Sequence, residues 1–276
     1  MKLQERLSIV KASGKALLGA NFYNLETLTG IIQAASTCKQ PVILQLTKSS
    51  IDYMGMKTAV SMARTTSSAY NVESWIHLDH GDSVELVKKC LDAGFDSVMY
   101  DGSELPFEQN IKNTTEVVKL AKTYGANVEA ELGYVAKLGQ STEKIGFTEP
   151  EEARIFVEKT GVNALAIAIG TAHGFYKETP RLDFKRLKEI HRHTDVFLVL
   201  HGGSGIPDES VKQAIRLGIC KINMSTETKN VFMKKLKSLM ADSEEIDLRK
   251  VFPPAIQVVK DLIIHKLNLI SNPTAQ

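Results

Sequence analysis

Three histidines, His80, His173 and His201, each stand just past an apolar, β-branched run: Ser74–Asp79, Ala164–Ile169 and Val196–Leu200. If these runs are parallel strands of one barrel, the three imidazoles converge on one rim, where the loops after the strands cluster. Three neutral imidazoles with an open fourth position make a catalytic zinc site, whereas closed four-ligand sites are structural. Such a site would set a Lewis acid in the mouth of an α/β barrel. The first histidine belongs to His77-Leu78-Asp79-His80-Gly81. Alternation along a strand puts His77 and Asp79 on one side and sends His80 the other way. Beside a metal-bound ligand, Asp79 can exchange a proton with substrate or serve only to orient an imidazole. The second and third clusters are Gly170-Thr171-Ala172-His173-Gly174 and His201-Gly202-Gly203-Ser204-Gly205. Their glycines let backbone amides approach an anion closely.

Other strand ends are polar too. The run after the third cluster closes with Asn223-Met224-Ser225-Thr226. Loops after strands seven and eight of such a barrel form a phosphate cradle, with a helix N-terminus offering free amides. Ser225 reads either as part of that cradle or as a plain N-cap. Asp101 and Glu131 can be alternative metal ligands or can hold the imidazoles in place. His191, His193 and His265 fall on helical, charge-rich stretches and read as solvated. A Schiff-base mechanism needs a desolvated lysine at a strand end. Lys221 is the one strand lysine near the rim, and it lies inside its strand, so metal chemistry is favoured.

These residues need a scaffold. Strand-like runs at Ala16–Asn21, Pro41–Leu46, Ser74–Asp79, Ser97–Tyr100, Asn127–Leu132, Ala164–Ile169, Val196–Leu200 and Ile219–Asn223 alternate with helical ones. The helical stretches include Leu25–Ser36, Val84–Ala93, Ile111–Tyr124, Pro150–Thr160, Phe184–His193 and Asp208–Leu217. In Val84–Ala93 the apolar residues Val84, Val87, Cys90 and Leu91 recur at helical spacing, leaving Glu85, Lys88 and Lys89 on the wet side. Runs such as Ala164–Ile169 are continuously apolar, as parallel strands buried on both faces require. A closed barrel and an open doubly wound sheet compete here. The count of strands, and polar residues at the ends of many of them, favour an α/β fold of the (β/α)8 TIM-barrel type. The expected organisation is a single domain over residues 1–276 with extra terminal helices.

Bulk properties narrow the function. Over 276 residues the chain is 43% hydrophobic and 24% charged with a net charge of +2, which gives no electrostatic footprint for nucleic acid. No stretch approaches the roughly 18 apolar residues of a membrane span, and Met1–Gly14 lacks the apolar core of a signal peptide. Cys38, Cys90 and Cys220 are far apart and odd in number, and read as reduced thiols of a cytoplasmic protein.

Taken in order, His77-Leu78-Asp79-His80-Gly81, Val128-Glu129-Ala130-Glu131-Leu132-Gly133, Ala172-His173-Gly174-x-Tyr176-Lys177, His201-Gly202-Gly203-Ser204-Gly205-Ile206-Pro207 and Lys221-Ile222-Asn223 resemble the class II, zinc-dependent fructose- and tagatose-bisphosphate aldolases. The resemblance runs from Asn24-Leu25-Glu26-Thr27 to the segment around Arg249. It implies His80, His173 and His201 as ligands of Zn2+ and Asp79 as the acid/base at the cleaved carbon–carbon bond. It further implies that Gly174, Gly202, Ser204, Ser225 and Thr226 bind the phosphate of the dihydroxyacetone phosphate half, with Lys177 nearby and Asn223 against the enediolate. Asn21 and Thr47 match positions facing the other half of the sugar, and Arg249 matches an arginine that reaches a distal phosphate, often across a dimer interface. The family also binds a monovalent cation, Na+ or K+, near its phosphate loops, and a homodimer or homotetramer is expected.

The sequence departs from that pattern after Glu131. Tyr134 to Lys144 stands where the family carries a Gly-Gly-x-Glu-Asp-type segment with a mobile glutamate, and Glu143 is either its replacement or a solvated loop residue. The segment around Asn21 is one residue shorter than usual, and Leu248 replaces a proline before Arg249. The expected activity is reversible cleavage of fructose 1,6-bisphosphate to dihydroxyacetone phosphate and an aldehyde such as glyceraldehyde 3-phosphate. Tagatose 1,6-bisphosphate or another phosphorylated ketose is the alternative substrate. A catalytically silent metal- and sugar-phosphate-binding homologue and a metal-dependent hydrolase are the competing classes. No nucleic-acid or membrane partner is expected.

Overall fold

Side chains alternate along Ser74–Gly81 as a barrel strand demands. Ile76 and Leu78 enter the main apolar core with residues of the surrounding helices, while Trp75, His77 and Asp79 point into the barrel. The structure, a computed structural model, describes residues 1–133, 146–174, 176, 178–241 and 243–273. Its strands are β1 (Leu17–Asn21), β2 (Val42–Thr47), β3 (Ser74–Gly81), β4 (Ser97–Tyr100), β5 (Asn127–Leu132), β6 (Ala164–Ile167), β7 (Phe197–Leu200) and β8 (Ile219–Met224). They run parallel in chain order, and β8 pairs back onto β1 to close the barrel. The open-sheet alternative is thereby excluded.

Helices wrap the strands for local reasons. Asn24 caps α2 (Leu25–Cys38) by accepting from the Thr27 amide at 2.9 Å, and the helix buries Leu28, Ile31, Ile32 and Ala35. Ser83 caps α5 (Val84–Asp92), which buries Val87, Cys90 and Leu91, the stripe read from its spacing. α6 spans Phe107–Tyr124, one turn longer than its periodicity suggested. After Phe107, which packs against the core, the extra turn is polar, but its Asn110 is buried and donates to the Glu131 carbonyl at 3.1 Å.

Terminal helices complete the barrel. α1 (Leu3–Ala12) plugs the N-terminal end, where Leu3, Leu7 and Val10 meet Leu17, Ile43, Trp75 and Cys220. α10 (Thr226–Met240) follows β8, and α11 (Leu248–Ser271) packs along α2. At that contact Gly30 allows close approach, since a Cβ there would lie 2.8 Å from Val259. His193 and His265 are exposed, as expected. His191 is not: it is half-buried against Gly218 and its Nδ1 is buried without a partner, because α8 (Phe184–His193) turns that side toward the start of β8.

Candidate active site

Strict alternation would aim His80 away from the barrel mouth. The register between β3 and β4 instead slips between Leu78 and Gly81, and His80 adopts a left-handed backbone with φ 52°. This one-residue bulge re-aims the side chain, a recurrent use of bulges beside active sites. As a result the His80 ring centroid lies 4.8 Å from those of both His173 and His201. Donor atoms of the three rings all fall within 4.8 Å of one another. Asp101 and Glu131 join them: those two and His80 also form a group within 4.8 Å.

Carboxylates set the orientation of two rings. Asp101 Oδ2 lies 2.6 Å from His80 Nδ1, which leaves Nε2 facing the mouth. Glu129 Oε1 lies 2.9 Å from His201 Nε2 and Glu131 Oε2 lies 3.0 Å from His201 Nδ1. The second contact is close but misaligned: His201 Nδ1 and Glu131 Oε2 are both buried without a hydrogen-bond partner. Buried orphans of this kind are costly unless something binds between them. Three imidazoles with two carboxylates in reach are a donor set that suits a divalent transition metal, so the residues present fit the ion the resemblance implies.

Charge follows from the same contacts. Burial, then the neighbouring His80 and His201, lowers His173 to about 3, so this ring is neutral and able to ligate. Burial also disfavours charge on His201, but Glu129 and Glu131 outweigh it and push the ring up to about 10. Glu131 is raised by burial and then by Asp101. Asp79 behaves oppositely. Burial alone would raise it, yet His80, His201 and the Asn21 amide hold it below the ordinary carboxylate range.

Three amides fix Asp79. Asn21 Nδ2 donates to Oδ2 at 2.8 Å, while Gln45 Nε2 and Asn223 Nδ2 donate to Oδ1 at 3.1 and 3.2 Å. Gln45 was not picked out from the sequence. Its one signal is a polar side chain inside the otherwise apolar Val42–Leu46 run. Gly19 makes room for it, because a Cβ there would sit 1.8 Å from Gln45 Oε1. Asp79 Oδ1 stands 4.0 Å from His80 Nε2, so the carboxylate borders the imidazole cluster.

A cavity of about 690 Å³ opens above these groups, lined among others by Asn21, Thr47, Asp79, His80, Asp101, Glu131 and His173. Gly174, Gly202, Ser204, Asn223, Ser225 and Thr226 line it too. His201 is fully buried beneath. Gly202 has φ 65°, and a Cβ there would lie 2.5 Å from the Ala172 carbonyl, so the loop after β7 packs directly on the loop carrying His173. Ser225 occupies the N-cap position of α10, but its hydroxyl makes no cap bond and pairs with Tyr23 Oη at 2.6 Å. The cap contact comes from Ser204, whose Oγ accepts from the Glu227 amide at 3.2 Å. Arg249 is not brought to the cavity of its own chain: its side chain is 89% exposed and pairs with Asp247. Glu143 and Lys177 lie outside the described residues. Lys221 is buried with Nζ 2.6 Å from Glu129 Oε2, no position for a Schiff-base nucleophile.

Residues 1–273 match the model of the family described as fructose-bisphosphate aldolase class-II. The chain belongs to the class II fructose-bisphosphate aldolase family. A curated relative, the "Probable fructose-bisphosphate aldolase" of Bacillus subtilis strain 168, is 42% identical over 97% of this chain and 96% of its own length. The crystal structure of the YdjI aldolase from Escherichia coli K12 superposes with a TM-score of 0.88 at 32% identity, covering 99% of this chain and 98% of that one. A putative fructose-1,6-bisphosphate aldolase from Coccidioides immitis gives 0.89 at 26% identity over 99% and 97% of the two chains. For class II aldolases the family implies a sugar-phosphate substrate, dihydroxyacetone phosphate as product and dependence on a metal.

Proposed function

We propose that this class II aldolase is a single-domain, zinc-dependent enzyme that reversibly cleaves fructose 1,6-bisphosphate to dihydroxyacetone phosphate and glyceraldehyde 3-phosphate. Tagatose 1,6-bisphosphate, which differs at C4, is the alternative substrate. One observation carries the reading: the amide-held Asp79 carboxylate stands 4.0 Å from His80 Nε2, at the cluster His80 forms with His173 and His201.

In this reading His80, His173 and His201 hold the ion, with Asp101 and Glu131 beside them. A bound divalent cation supplies Lewis-acid stabilisation of the negative charge that cleavage leaves on the ketose oxygen. Asp79 takes the proton of the C4 hydroxyl during cleavage and returns it during condensation. Its depressed pKa keeps it ionised at neutral pH, as a base must be. Asn223, which donates to Asp79, stands against the enediolate in this reading and donates to its oxygens. One such donor in a partly dry site is worth about 3 kcal/mol.

Gly174, Gly202, Ser204, Ser225 and Thr226, with Lys177, receive the phosphate of the dihydroxyacetone half. Support comes from the place of Gly174, Gly202, Ser204, Ser225 and Thr226 in the cavity lining and from the α10 N-terminus there, while Lys177 rests on the family resemblance. Na+ or K+ beside these loops belongs to the same reading and rests on the family resemblance. Asn21 and Thr47 face the other half of the sugar, and Glu143 exchanges the proton on the dihydroxyacetone phosphate carbon. Arg249 serves the distal phosphate of a neighbouring copy in a homodimer or homotetramer, a role supported by its exposure away from its own cavity. A cytoplasmic setting fits the three free thiols and the absence, among the described residues, of any helix long and apolar enough to cross a membrane.

The test is a panel of ketose phosphates assayed with and without a chelator, with dihydroxyacetone phosphate and inorganic phosphate both measured. Chelator-sensitive release of dihydroxyacetone phosphate, fastest from fructose 1,6-bisphosphate, is expected. No carbon–carbon cleavage from any ketose phosphate by zinc-verified protein would favour a silent homologue, and phosphate release alone would favour a hydrolase.

A further inference from the structure

We propose that Glu129, backed by Lys221, is a positioning residue that fixes which ring nitrogen His201 offers to the barrel mouth. The inference rests on the reading of His201 as a metal ligand. Glu129 sits on β5 and Lys221 on β8, facing each other across the barrel interior below the cavity. Glu129 Oε1 meets His201 Nε2 at 2.9 Å, and its Oε2 meets Lys221 Nζ at 2.6 Å. Glu129 and Lys221 are each 1% exposed and His201 is fully buried.

The chemistry is restrictive. A neutral imidazole has one N–H and one lone pair, and an ionised carboxylate only accepts. In the neutral form that binds a metal, His201 held against Glu129 keeps its hydrogen on Nε2 and is left with the Nδ1 lone pair on the other side. That Nδ1 is one of the buried atoms without a hydrogen-bond partner. His80 shows the mirror arrangement: Asp101 takes Nδ1 and leaves Nε2. The two carboxylates thus select opposite nitrogens on the two rings, both of which belong to the three-histidine cluster at the mouth. Lys221 completes the device by occupying the second oxygen of Glu129, which prevents the carboxylate from turning and matches its charge.

A purely structural role explains this less well. Buried ion pairs are no more stabilising than well-packed apolar side chains of the same volume. The barrel already uses such packing elsewhere, at Ala164, Ala166 and Val199.

The decisive experiment measures zinc affinity by competition with a chromophoric chelator for wild type, E129Q, K221M and H201A. The visible spectrum of the Co2+-substituted protein and the thermal midpoint of the metal-free protein are recorded alongside. E129Q is expected to lose about 10- to 100-fold in zinc affinity, the range typical for removing the partner of a metal-bound histidine. Its Co2+ bands should shift while the metal-free protein stays folded, and K221M should move in the same direction. H201A separates the two levels of the argument. Wild-type affinity in H201A would refute His201 as a ligand. Loss in H201A with wild-type affinity and spectra in folded E129Q and K221M would refute the positioning role alone. Failure of both E129Q and K221M to fold would assign the pair to stability and overturn the proposal too.

Discussion

Gln45→Met tests how Asp79 is made ready to take a proton. Gln45 is fully buried and donates one of the three amide hydrogen bonds that Asp79 accepts. Methionine matches its shape, so the main change is the lost donor. A hydrogen bond to a charged acceptor contributes about 1.5–3 kcal/mol, and about 1.4 kcal/mol corresponds to one pKa unit. Losing it should therefore raise Asp79 by about one to two units. The sign follows directly. Burial pushes Asp79 up and its neighbours hold it down, so removing a donor lets burial gain. The acidic limb of kcat/KM for cleavage should move to higher pH by about one to two units, with the plateau above it changed less and KM nearly constant. Rates measured across that limb with zinc in excess would show this. A limb that stays in place in folded Q45M protein would refute the assignment of Asp79 as the base, or of Gln45 as its support.

Gly19→Ala should reproduce part of that shift by displacing Gln45 rather than replacing it, because the new Cβ would fall 1.8 Å from Gln45 Oε1; a wild-type pH profile in G19A would contradict this. Zinc binding should release a proton from His201, whose ring is pushed up to about 10 in the metal-free protein. Between pH 7 and 9 a metal must displace that proton, so apparent affinity should rise about tenfold per pH unit, and calorimetry in buffers of different ionisation enthalpy should detect the release. Leu7→Ala should cost about 2–5 kcal/mol by opening the plug under the barrel, read as a lowered denaturation midpoint with zinc affinity retained. Arg249→Ala should chiefly raise KM for a bisphosphate, and only in the oligomer; unchanged kinetics would remove it from the site.

Much of this architecture was legible because parallel barrel strands are continuous apolar runs with chemistry at their ends. The strand endings that carry His80, His173 and His201 were sufficient to expect them at one rim. Other features depend on contacts that local patterns do not encode. The bulge at His80 arises from the register between β3 and β4, so alternation alone sent that ring the wrong way. Gln45 is a lone polar residue in an apolar strand, and its partner Asp79 is 34 positions away. The Glu129–Lys221 pair joins residues 92 apart. Extra terminal helices were expected, but the bounds of α1 were obscured by the mixture of charged and apolar residues in Met1–Gly14, since its core-facing side is only Leu3, Leu7 and Val10. Ser204, rather than Ser225, meets the α10 amides because Tyr23 claims the Ser225 hydroxyl, which no spacing rule reveals.

The central claim is that one divalent ion sits among His80, His173 and His201. An anomalous-difference map at the zinc edge, from crystals of zinc-loaded protein, tests it most directly. The account predicts a strong peak within bonding distance of all three imidazoles, with His201 contributing Nδ1. Zinc bound at full occupancy elsewhere, with those three rings left uncoordinated, would contradict it.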